Sequence, residues 1–112
     1  MSQRTSEQRK HRRTEIACPA SVFDRSGRLQ AKGRTMNLSD GGACVSVPID
    51  RLPRIHDRVN VTFSVPRSTP NTYMLEEFAS PADVVRHEPL EDTALVAVAI
   101  QFERPMDLAL EV

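Results

Sequence analysis

Apolar and polar residues alternate with a period of two along most of this chain, the mark of strands that bury one face. Ile16, Cys18, Ala20 and Val22 share a face over Thr14 to Phe23. Asp24-Arg25-Ser26-Gly27 supplies turn chemistry, so a hairpin into a second strand, Arg28 to Met36, is predicted. Asn37 to Gly42 (NLSDGG) then reads as a turn, after which Ala43, Val45 and Val47 alternate as a third strand ended by Pro48. Arg51 to Asp57 reads as a loop, and Val59, Val61, Phe63 and Val65 give the cleanest alternation, closed by Pro66. Residues 66 to 72 (PRSTPNT) have loop composition, and Tyr73 to Val85 holds a further strand that is expected to break at Ser80-Pro81, since proline cannot donate to a ladder. Thr93 to Phe102 is the last strand, with Val96, Val98, Ile100 and Phe102 on one face, and Pro105 opens a predicted short C-terminal helix.

Six short strands with turn signals between them and almost no helical periodicity predict an all-β fold, a small antiparallel barrel or sandwich. A length of 112 residues suits one domain. With four Phe, one Tyr and no Trp, the core must be assembled mainly from Val, Leu, Ile and Ala. No apolar run is long enough to span a bilayer and Met1 to Arg13 lacks the apolar stretch of a signal peptide, so the expected compartment is the cytoplasm. Cys18 and Cys44 lack metal or redox spacing and are expected to be reduced strand residues.

The formal net charge is zero, but residues 1 to 13 carry five Lys or Arg against one Glu, while residues 76 to 112 carry nine acids against two Arg. A basic arm on a neutral barrel suits a compact anion better than a long duplex, which needs phosphate neutralisation spread along a surface. Two segments stand out from an ordinary barrel sequence: Arg9-Lys10-His11-Arg12-Arg13 before the first strand, and Asn37-Leu38-Ser39-Asp40-Gly41-Gly42 after the first hairpin. They match RxxxR followed by (D/N)xSxxG. The pair, in this order with a hairpin between, resembles the PilZ domain family.

The resemblance implies a six-stranded antiparallel β-barrel over residues 14 to 112 with a flexible arm over residues 1 to 13, and a bacterial receptor for cyclic di-GMP. It implies ligand contacts from Arg9, Arg13, Asn37, Ser39 and Gly42, with secondary contacts from Lys10, His11, Arg12 and Gly41. The chemistry is coherent on its own terms. A planar guanidinium matches the adjacent O6 and N7 acceptors of guanine and pairs bidentately with phosphate. The Asn37 amide can both accept and donate, and the Ser39 hydroxyl is short enough to reach a ligand from a tight turn. Asp40 falls at a variable position of the motif and is assigned no role.

Binding is expected to order the arm and so regulate a protein partner in motility, polysaccharide synthesis or virulence, the partner itself being invisible in the sequence. The alternatives are an adaptor of the same fold that binds protein without nucleotide, and a nucleic-acid-binding barrel, which the 4% aromatic content disfavours because base stacking needs aromatic faces. His11, His56 and His87 lie on separate segments without ligand spacing, so no metal or cofactor is expected. No nucleophile elbow or placed base points to an enzyme.

Overall fold

A computed structural model describes residues 13–110. Six strands follow one another as β1 (Pro19–Phe23), β2 (Leu29–Ser39), β3 (Gly42–Pro48), β4 (Arg58–Thr69), β5 (Thr72–Pro89) and β6 (Leu95–Phe102), with one 3-10 turn at Ile49–Arg51. All pairings are antiparallel, in the order β1-β2-β3-β6-β5-β4, and β4 returns to β1 to close the barrel.

Closure follows from the pattern of alternation. Val22, Val45, Val47, Val59, Val61, Val65, Val84, Val96 and Val98 all point inward and are buried, so the predicted faces of the first, third, fourth and sixth strands stand. Branched side chains pack well on a pleated surface, and a ring of valines fills a narrow interior with few aromatics. Phe63 sits among them with its ring stacked on Phe78 (5.6 Å between centroids) and Phe102 (5.8 Å). The first hairpin turns as expected: Asp24 Oδ1 accepts from the Ser26 hydroxyl and from the amides of Ser26 and Arg28, while Gly27 takes φ 89°.

Four expectations need correction. The first strand starts at Pro19 rather than Thr14, because the lead-in is held another way: the Thr35 hydroxyl donates to Ile16 O (2.6 Å) and accepts from Cys18 N (2.7 Å). Of the PRSTPNT segment only Pro70-Asn71 is a turn; the rest is ladder, with β4 and β5 paired from Arg58↔Asp83 to Thr69↔Thr72 as one long ribbon. Proline at 81 does not break β5. The Pro81 carbonyl accepts from Glu103 N, so its backbone faces the side where β6 has already ended and no ladder donor is required.

The predicted C-terminal helix is absent: residues 105–110 have no regular secondary structure. Two of their backbone donors are satisfied from outside the segment, and Ala109 N donates to Asp107 Oδ1 within it. Met106 N donates to Asp40 O (2.7 Å) and Leu108 N to Asp40 Oδ1 (3.1 Å). The Arg67 guanidinium donates to the carbonyls of Leu108 and Ala109. Leu108 is fully buried in the core, and anchoring that one side chain together with these bonds favours an extended path over a helical turn.

Candidate functional site

Sequence reasoning placed Asn37 and Ser39 in a turn; both belong to β2. Their orientation is set by a β-bulge. Thr35 pairs with Val45 and Asn37 with the next β3 residue, Cys44, leaving Met36 as the extra residue. Thr35 is buried and points inward. Strict alternation would send Asn37 and Ser39 inward as well, whereas the bulge reverses the phase, sending Leu38 into the core and Asn37 to the outside. Thr14 and Leu38 exchange both backbone hydrogen bonds (2.7 and 2.8 Å), pinning the end of the basic arm against β2. Arg13 is thereby brought to the motif, and its Nη1 donates to Asn37 Oδ1 at 3.0 Å. Two segments 24 residues apart thus meet side chain to side chain. The remaining arm residues named from the sequence, Arg9, Lys10, His11 and Arg12, lie outside the described residues, as does most of the predicted arm.

Ser39 has a different role from the one its motif position suggested. Only 5% exposed, its hydroxyl accepts from the amides of Gly41 and Gly42 and donates to Gly42 O, bracing the Asp40-Gly41 turn from within. Gly42 is required by close approach, not by an unusual φ. A Cβ built there would lie 2.3 Å from the Ile100 carbonyl oxygen of the neighbouring β6. Gly41 joins the same strand through its carbonyl, which accepts from Phe102 N (3.0 Å). Asp40, assigned no role from the sequence, holds the C-terminal segment through its backbone carbonyl and its carboxylate. Only three-dimensional structure reveals that contact, since 68 residues separate Asp40 from Leu108.

The outer face beside Asn37 is laid out by strand register. Asn37 pairs with Cys44, Cys44 with Ala99, and Ala99 with Arg86, a single row across β2, β3, β6 and β5. A second bulge, at Val85, precedes Arg86 as the first precedes Asn37, and it turns the Arg86 side chain to the exposed face. Cys44 is free and half-buried in the middle of the row. Burial pushes its thiol pKa up, opposed by the nearby Arg13 and Arg86 guanidiniums, while Glu88 adds to the rise. The row is an open strand face. A depression of about 320 Å³ among Asp24, Arg25, Gln30, Asp57 and Arg58 lies elsewhere, at the hairpin end of the barrel.

Of the histidines, His87 Nε2 contacts Pro53 O (2.7 Å), a structural use. Among the described residues no group of three His, Cys, Asp or Glu is placed to hold a metal ion, and no helix is long and apolar enough to cross a membrane.

The molecule is a closed six-stranded antiparallel barrel with an arginine-bearing lead-in docked on an Asn-x-Ser-x-x-Gly segment. The chain belongs to the PilZ domain family, whose model matches residues 7–111. Among solved structures it is similar to that of the Bacillus subtilis inhibitor of motility (MotI/DgrA), with a TM-score of 0.69 at 12% identity, over 88% of this chain and 44% of that one. The chain therefore spans less than half the length of that protein, and the likeness is one of fold. No curated protein matches it.

Proposed function

We propose that this chain is a cyclic di-GMP receptor rather than an enzyme. The observation that carries the reading is the Arg13–Asn37 hydrogen bond, which brings the two halves of the motif together on one exposed face. Membership of the PilZ family supports it. Arg9 and Arg13 supply guanidiniums for phosphate and guanine edges, Asn37 an amide for a guanine, and Gly42 a turn that leaves the ligand side open, with Lys10, His11, Arg12 and Gly41 nearby in sequence. Ser39 contributes by bracing that turn. The Arg13–Asn37 bond is solvent-exposed and so modest in net worth, about 0.5–1.5 kcal/mol, whereas charge-assisted bonds from Arg13 to a phosphodiester are stronger. Exchange of one for the other changes the conformation of the arm, residues 1–13, and that change regulates a protein partner. The exposed Tyr73, Met74 and Leu75 on the β4–β5 ribbon offer apolar surface for such a partner. A bacterial cytoplasmic setting goes with this reading, and two free cysteines agree with a reducing compartment.

Isothermal titration with cyclic di-GMP, GTP and cyclic di-AMP tests the reading. Saturable heat with cyclic di-GMP alone is expected, lost in Arg9→Ala and Arg13→Ala, with the thermal midpoint of the free Arg13→Ala protein nearly unchanged because that side chain is exposed. No heat with cyclic di-GMP at micromolar protein would sink it.

A further inference from the structure

The row that starts at Asn37 ends on a second arginine that lies outside the motif. Arg86 reaches the outer face only because of the bulge at Val85: its predecessor Val84 is buried, and two residues further along an unbulged strand Arg86 would point into the core. A bulge costs ladder hydrogen bonds, and bulges concentrate where a side chain must be re-aimed. Two of them, on β2 and β5, aim Asn37 and Arg86 at the same strip of surface. With Cys44 and Ala99 between them, the ends of the row stand three strand spacings apart, roughly 14 Å at about 4.8 Å each. Small side chains in between leave the strip unobstructed.

Charge points the same way. Asp83, two residues before the bulge, is paired with Arg58 at 3.0 Å, and so is Glu103, so the acids at that end of the face are already neutralised. Among the described residues Arg86 has no carboxylate within salt-bridge distance, although Glu88 lies on the same face one row away. An exposed arginine aimed along a strip whose other end holds Arg13 and Asn37 is suited to a ligand with anionic or guanine groups at both ends.

We infer that Arg86 is a further binding residue of this face: it takes the Hoogsteen edge, O6 and N7, of the guanine of cyclic di-GMP that lies farther from Asn37, and so contributes to selection of guanine over adenine. This rests on the cyclic di-GMP reading. A fork of two N–H donors fits guanine, which offers two acceptors on that edge, and mismatches adenine, which offers one acceptor and one donor.

The experiment titrates the wild type, Arg86→Ala, Arg86→Lys and, as a distant control, Arg25→Ala with cyclic di-GMP and cyclic di-AMP, with thermal midpoints measured on each free protein. Arg86→Ala is expected to weaken cyclic di-GMP about ten-fold or more, and to narrow the preference over cyclic di-AMP by a similar factor. Arg86→Lys should regain part of the affinity, as a point charge does, but little of the preference. Arg25→Ala, in the first hairpin turn, should bind as the wild type does. Wild-type affinity in Arg86→Ala overturns the assignment while leaving the receptor reading intact. Equal weakening of both dinucleotides overturns the guanine role and reduces Arg86 to a general cation. A wild type that binds no cyclic di-GMP overturns both.

Discussion

Ser39 shows how a motif residue can serve a site without facing its ligand. Its hydroxyl makes three hydrogen bonds within its own turn and is almost inaccessible, so Ser39→Ala should remove a brace before it removes a contact. Leaving the Gly41 and Gly42 amides without that acceptor is expected to lower stability by about 1–3 kcal/mol in chemical denaturation, with weaker ligand binding as a consequence. Unchanged stability with lost binding would show the hydroxyl to be a direct contact instead. Cys44 offers a second residue-scale measurement. Burial raises its pKa, so the thiolate is scarce at neutral pH and alkylation by iodoacetamide should be slow, accelerating as pH rises through the alkaline range. Because Cys44 lies between Asn37 and Ala99, saturating cyclic di-GMP should slow that alkylation further; the buried Cys18 serves as an internal reference. Asp24 sets a second pH dependence, from a pKa shifted the other way. Hydrogen bonds from the Ser26 hydroxyl and the Arg28 amide hold its pKa below the usual carboxylate value. Its contribution to the first hairpin is therefore present above the unfolded-state pKa near 4 and lost as pH falls through the lower folded value, an acid limb that Asp24→Asn should flatten.

Strands were legible wherever alternation ran without interruption. The inward faces of β3, β4 and β6 follow directly from Val45 and Val47, from Val59 through Val65, and from Val96 through Phe102, since a period of two leaves no freedom once one residue is inside. The motif segment was harder because its phase changes at Met36, and nothing in the residues themselves announces an unpaired position: Thr35-Met36-Asn37 is as compatible with continued alternation as with a bulge. Pro81 misled for a related reason, its rank in the ladder depending on where β6 stops. The C-terminal segment misled because a proline start also suits an extended chain tied to Asp40 and Arg67. Gly42 was named from the motif as a ligand contact, whereas the need for glycine there lies across the sheet in the Ile100 carbonyl. Gly42→Ala should accordingly destabilise the free protein by about 1–3 kcal/mol through forced separation of β3 and β6, whatever happens to binding. A variant as stable as the wild type would show that the strands separate at little cost.

At the scale of the whole molecule, the turn that follows Asn37 is tied to a distant part of the fold. Asp40 holds Met106 and Leu108, Leu108 is buried in the core, and Arg67 binds the carbonyls of Leu108 and Ala109 while it also pairs with Glu76 at 3.0 Å and lies over the Phe78 ring. The candidate ligand face is thereby connected through the C-terminal segment to the β4–β5 ribbon that carries Tyr73, Met74 and Leu75. Anything that binds the folded state stabilises it by mass action, about 2.7 kcal/mol at a hundred-fold excess over Kd, but a local effect requires that the ligand favour one arrangement of the turn over another. Hydrogen exchange separates the two. With saturating cyclic di-GMP the Leu108 amide, whose acceptor is the Asp40 carboxylate, should gain protection beyond that of core amides such as those of β4. Asp40→Ala removes the acceptor, so Leu108 should exchange faster in the free protein, by the roughly ten-fold that about 1.4 kcal/mol implies, and should lose the extra protection on binding. Equal protection of Leu108 and the β4 amides in the wild type would mean that the turn and the C-terminal segment are neighbours without coupling, and that a partner senses the arm alone.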